Sequence, residues 1–254
     1  MLLKENAMDI GKITQLAKDE FGPQAKSIYH QDRTGPPTQG HLKTDDIGAG
    51  DFIFVDSSVP GSNPQHSQTP DGLVLSVERA AVTGNTGSWG APNLQNIQLP
   101  GAFLLVAVLE RPARVPLNAQ FVAGVYAPSL LMNVGTTLMG VTSQFRPEGV
   151  RLNLPGTMLS LNRPPIAQQL QDRIVDPQHP SAISLALKVD RSVAPVAGKA
   201  WLFVGNDEGD SVTFNFTNLV ASTPILDVRA GIGTANGVHY RASVSLLRFQ
   251  IWAA

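Results

Sequence analysis

The chain has 254 residues, 43% hydrophobic and 15% charged, with a formal net charge of −1 and no cysteine. Disulfides and thiolate-based metal or redox sites are therefore excluded, and a near-neutral chain is not a mainly electrostatic nucleic-acid binder. The apolar content suffices for a sizeable core and argues against global disorder.

The charges are unevenly placed. Residues 1–46 hold 13 of the 39 Asp, Glu, Lys and Arg residues, including five of the seven lysines (Lys4, Lys12, Lys18, Lys26 and Lys43). The other 208 residues hold 26 charges, about half the density of an ordinary soluble domain, in which roughly 25% of residues are charged. This contrast divides the chain into an N-terminal segment, 1–46, and a body, 47–254. A free domain keeps charge spread over its surface, so a body this bare points to an exterior covered by other subunits. Arginine also outnumbers lysine there, as it does at interfaces, where its planar fork desolvates more easily. A GC-rich gene produces the same bias with no physical cause.

The first element is an amphipathic helix. Ile10, Ile13, Leu16, Ala17 and Phe21 share one face, and Lys12, Lys18, Asp19 and Glu20 the other. Asn6 reads as its N-cap, and Gly22-Pro23 as its stop. The apolar stripe has two possible berths, its own domain or a neighbouring subunit. Residues 24–40 favour the second: they are polar, carry Gly35-Pro36-Pro37 and Gly40, and offer only Ile28 and Tyr29 as anchors. That is the composition of an extended linker. Ile10, Ile13, Leu16 and Phe21 are thus interface candidates on a helical arm.

From residue 47 the chain breaks into short β-branched or alternating runs separated by Gly, Pro, Asn and Asp. Strands are predicted at 51–55, 72–81, 102–109, 119–126, 136–141, 150–154, 157–161, 181–189, 200–204, 211–217, 225–230 and 238–252. Within 211–217, Val212, Phe214 and Phe216 fall on one face. The last run alternates with a slip at Leu246-Leu247, the sign of a bulge. A short helix is predicted at 166–174. Long polar loops are predicted at 55–69 and 83–100, the second with Trp89 near its centre. The expected fold is all-β, a single jelly-roll or β-sandwich body with an N-terminal amphipathic helix on an extended arm.

Sequence motifs for chemistry are few. Gly87-Ser88-Trp89-Gly90 lacks the spacing of a hydrolase nucleophile elbow. Trp89, flanked by glycines, is either an anchor for a partner or sugar ring or a loop aromatic folded on the core. The histidines (His30, His41, His66, His179 and His239) show no zinc-ligand spacing. Asp176-Pro177-Gln178-His179-Pro180 reads as a rigid turn, and Asp45-Asp46 as a charged junction. Asp207, Glu208 and Asp210 offer the oxygen ligands calcium prefers, but a hairpin turn asks for the same residues on geometric grounds. Carboxylate pairs of the glycosidase type are not recognisable from spacing. No catalytic residue and no other cofactor is predicted, and the chain is not expected to be an enzyme.

The leading expectation is a structural subunit of a large assembly, a viral or phage capsid or virion protein. Its partners would be copies of itself and other virion subunits, with the arm placed to reach nucleic acid although no basic motif supports that contact. The alternative is a carbohydrate- or surface-binding β-sandwich module with Trp89 and the long loops as its ligand face. The longest apolar run, 102–109, falls far short of the ~20 residues of a bilayer span. The first residues lack the pattern of a signal peptide, so assembly in the host cytoplasm is expected.

Overall fold

In a computed structural model of the chain, residues 7–33, 52–57, 62–70, 72–79, 86–92, 97–111, 119–126, 139–146, 149–153, 167–175, 181–216, 219–222, 224–225, 227–234 and 240–254 are described. In chain order the elements are α1 (Ile10–Phe21), β1 (Lys26–Asp32), β2 (Phe52–Ser57), β3 (Ser62–Thr69), β4 (Gly72–Arg79), β5 (Thr86–Pro92), β6 (Ala102–Arg111), β7 (Ala119–Tyr126), β8 (Met139–Arg146) and β9 (Gly149–Asn153). They continue with α2 (Gln168–Val175), β10 (Ser181–Asp190), β11 (Ala197–Val204), β12 (Asp207–Asn215), β13 (Asp227–Thr234) and β14 (Tyr240–Ala253). The strands form an eight-stranded sheet, ordered β12-β11-β10-β6-β14-β4-β3 with β1 also on β14, and a six-stranded sheet, β2-β5-β13-β7-β8-β9. Every pairing in both is antiparallel. The fold is an all-β sandwich.

The core between the sheets follows from period-two alternation. Phe103, Leu105, Ala107 and Leu109 of β6, with Leu185 and Leu187 of β10 and Phe249 and Ile251 of β14, meet Val228 and Ala230 of β13. The intervening residues of β6, Leu104, Val106 and Val108, are equally buried on the opposite face. A strand covered on both sides reads as a continuous apolar run, which accounts for the stretch 102–109.

What covers that second face is α1. Met8, Ile13, Leu16 and Ala17 pack on Leu104, Val106, Val108, Ala186, Trp201, Phe203, Leu247 and Trp252. The N-cap is Asp9, and residue 6 lies outside the described residues. The Asp9 carboxylate accepts from the Lys12 amide at 2.7 Å. Asn206, at the tip of the β11–β12 hairpin, closes the joint: its Oδ1 accepts from the Asp9 amide at 3.0 Å and its Nδ2 donates to Asp9 Oδ2 at 2.8 Å. At the other end Gly22 caps the helix with φ +86°, its amide donating to the Lys18 carbonyl at 2.8 Å. Glu20 joins Lys188 at 3.1 Å and Lys199 at 2.7 Å. These two are the only lysines outside the N-terminal segment, and both hold the helix.

Several expectations are thereby corrected. The helix is not a detached arm, because the sheet beneath it presents two tryptophans and a phenylalanine that need an apolar cover. The stretch after it is not wholly linker either: 26–32 form β1, which lies along β14 with Lys26 opposite Ala253 and Asp32 opposite Arg248. Tyr29 seals β1 inward, edge-on to Phe249 at 6.1 Å. The polar stretch 62–69 is edge strand β3, and 86–92 is strand β5 inside the second sheet. In both places cross-strand pairing overrides weak intrinsic propensity. The slip in β14 is a real register shift between Leu246 and Arg248 against β6, and the short second helix is α2. The strand predicted at 157–161, Asp45-Asp46, His41, His179 with its Asp-Pro turn, and His239 lie outside the described residues.

Candidate functional site

With one outer face of the sandwich closed by α1, the outward face of the six-stranded sheet is the place to look for a ligand surface. Its composition follows from the register. Val228 and Ala230 belong to the inter-sheet core, so the alternate residues of β13, Asp227, Arg229, Gly231 and Gly233, lie on the outward face. Directly opposed residues share a face. One outward row therefore runs Val55, Trp89, Gly231, Val122, Thr142, Asn153. The next runs Ser57, Gly87, Gly233, Gln120, Gln144, Arg151. On the other side of the tryptophan row stand Arg229, Gly124 and Gly140.

Five of these outward positions are glycine. Glycine inside a strand weakens it and commonly marks a place where a ligand or another backbone approaches closely. The same register rows hold amide residues (Gln120, Gln144, Asn153), hydroxyl residues (Ser57, Thr142) and two arginines. Amides and hydroxyls both donate and accept hydrogen bonds. Gly231 itself is buried. Among the described outward positions one is a carboxylate, Asp227.

Trp89 is the one sequence-picked residue on this face, and it sits in a strand instead of a loop. Ser88, its neighbour, falls in the inward row with Asp56 and Ile232. The helix candidates lie on the far side of the molecule and do not join it. Ile13 and Leu16 are buried on the inner face of α1, Phe21 is partly buried with Lys188 Nζ 5.0 Å from its ring centre, and Ile10 is 44% exposed. Asp207, Glu208 and Asp210 are at the start of β12. Asp207 pairs with Arg173 at 2.5 Å, and Glu208 and Asp210 flank Gly209, where the register against β11 shifts. Among the described residues no group of three or more His, Cys, Asp or Glu side chains is placed to hold a metal ion. The acidic cluster follows directly on the turn that carries Asn206.

Buried polarity elsewhere is structural. His30 Nδ1 lies 2.8 Å from Gln250 Nε2, and Trp252 Nε1 donates to Gln250 Oε1 at 2.8 Å, all under α1. The Asp9 carboxyl is held below its ordinary value of 3.8, chiefly by the Lys12 amide and then by the Asn206 side chain. The glutamines, the threonine, the asparagine and the arginines of the outward rows escaped the sequence reading. Each is unremarkable alone, and only the pairing of six strands brings them to one face.

No protein-family model matches the chain, and no curated protein matches it. Solved structures similar to it include a β-glucanase catalytic domain from Podospora anserina, 11% identical over 81% of this chain and 86% of that one, with a TM-score of 0.49. A carbohydrate esterase from the Shiga toxin-encoding bacteriophage phi24B is 8% identical over 90% of this chain and 99% of that one, with a TM-score of 0.48. A lectin from Bauhinia forficata in complex with GalNAc is 12% identical over 80% and 99%, with a TM-score of 0.43. Similarity this slight leaves the function to be read from the chain's own residues.

Proposed function

We propose that the protein is a carbohydrate-binding β-sandwich module whose ligand face is the outward side of the six-stranded sheet. The observation that carries this reading is the register of Trp89: it stands directly opposite Gly231, one row from Gly87 and Gly233 and one row from Gly124 and Gly140. Glycine inside a strand commonly marks the close approach of a ligand, and tryptophan is the residue type with the large aromatic surface that binding sites favour. The eight-stranded sheet also contains a cross-strand pair of an aromatic residue and a glycine. There Phe214 is opposite Gly198 and its ring fills the space of the missing side chain, so close that a Cβ at Gly198 would come within 2.5 Å of it. Amide and hydroxyl residues in the same outward rows supply the hydrogen bonds. The proposal is one of binding without chemistry, since glycoside hydrolysis uses a pair of carboxylates and the described outward positions offer Asp227 alone.

The assembly reading loses its main device, because the helix it would exchange between subunits is spent on its own sheet. The two readings separate in one experiment. Screened against immobilised glycans, the protein is expected to be retained by a subset of them, and Trp89→Ala to lose roughly thirtyfold or more in affinity, the effect of removing a hot-spot aromatic. A folded protein that ignores every glycan and forms particles would return the function to assembly.

A further inference from the structure

We propose that the sandwich holds an internal water at the seam between β1 and the β3–β4 hairpin, bridging the side-chain amides of Gln31 and Gln68. The seam follows from the pairing of β14. Its residues 240–246 pair with β4 and residues 248–253 with β1, so those two strands lie end to end along one edge of β14. At the break between them the Arg33 amide donates to the Leu247 carbonyl at 2.8 Å. Both glutamines stand there on the inner face of the sheet. Gln31 is opposite Phe249 and Gln68 is opposite Leu73. Phe249 and Leu73 belong to the core between the sheets, and directly opposed residues share a face.

Gln31 is fully buried, and neither its Oε1 nor its Nε2 has a hydrogen-bond partner among the described residues. A second observation lies close by. Gln68 Nε2 donates to the Arg33 carbonyl at 2.8 Å and to the Thr69 carbonyl at 2.9 Å, which anchors this amide beside the residue two positions on from Gln31. Its Oε1 is buried and likewise without a partner among the described residues. A buried amide that gives up its bonds to solvent for nothing costs free energy, and an apolar side chain of that size would avoid the cost. Water removes it at both residues. It accepts from a nitrogen and donates to an oxygen at once, so either orientation of the Gln31 amide serves. It is also the smallest molecule that does so, which suits a break between strand ends, and a buried water held by about three polar atoms is ordinary protein structure. Bound there, it ties β1 to the β3–β4 hairpin and reinforces the bond from Gln68 to Arg33.

A high-resolution crystal structure of the full chain tests this, together with thermal melting of Gln31→Leu. Electron density is expected for a water within about 2.7–3.2 Å of the Gln31 amide and of Gln68 Oε1. In the leucine variant that water should be gone and the melting temperature lower by about 2–4 °C, because Gln68 Oε1 then lacks a donor. A protein group bonded to the Gln31 amide, or apolar atoms packed directly on both of its polar ends, would overturn the inference. So would a variant that melts higher, the result expected of an amide that was dry all along. If Gln31→Leu does not fold, the density on the unaltered protein decides alone. Neither result bears on the ligand face proposed above, which lies on the other sheet.

Discussion

Asp9 shows how much one carboxylate can hold together. It caps α1 through the Lys12 amide and exchanges two hydrogen bonds with Asn206, 197 residues away. Its folded-state pKa lies below the ordinary 3.8, so the stability it contributes is fully present above that value and fades as the pH falls through the lower, folded one. Asp9→Ala is expected to cost roughly 1 kcal/mol at neutral pH, as a lost N-cap does, and to cost much less in strong acid. Urea titrations of both proteins at the two pH values check this; an equal loss at both would contradict it. Gly198 makes the opposite case, a residue needed for what it lacks. A Cβ there would lie 2.5 and 2.6 Å from carbons of the Phe214 ring and 2.9 Å from Phe216, and both rings are buried. Gly198→Ala should therefore destabilise by roughly 1–3 kcal/mol through overpacking. Gly101, where an added Cβ meets nothing within 4 Å, is the matching control in thermal melts.

At the scale of elements, α1 is the clearest case of a correct local reading with a wrong destination. Its apolar stripe and Gly22 stop were legible because helical periodicity and capping are local. Its partner surface was not, since Trp201, Phe203 and Trp252 are far away in the chain and look like core residues of any strand. If α1 is a cover, Ile13→Asp should lose roughly 3 kcal/mol or more, as a buried unpaired charge does, while Ile10→Asp should stay within about 0.5 kcal/mol. The first variant should also bind an apolar fluorescent dye in its native baseline. Equal behaviour of the two variants would restore the free arm. Strands β1, β3 and β5 were missed for a related reason. Polar or glycine-rich strands carry little periodicity of their own, and they form because β14, β4 and β13 offer them backbone partners. The candidate face shared that fate: Trp89 was visible as an unusual residue, but its row was not.

At the scale of the whole molecule, the uneven charge takes on a different meaning. The body is poor in charge partly because its own N-terminal segment supplies an outer coat for one sheet: Ile13, Leu16 and Ala17 face inward, while Lys18 and Asp19 are exposed. That removes one reason to demand neighbouring subunits. The module reading accordingly predicts a monomer whose sedimentation does not change with protein concentration. Rings or particles appearing on concentration would count against it.

By itself the sequence determined the elements whose signals are local. These are the β-rich body, the amphipathic helix and its glycine stop, the slip in β14, and a strand at the apolar run 102–109. Side-chain period and capping chemistry operate within a few residues, so no partner has to be known. Tertiary structure alone decided where the helix docks, which polar stretches become strands, and that Trp89 shares register rows with glycines, amides and arginines from four other strands. Those outcomes depend on pairings between distant segments, Glu20 with Lys199 at a separation of 179 residues among them. A row of side chains across a sheet exists only once the register of every strand has been set.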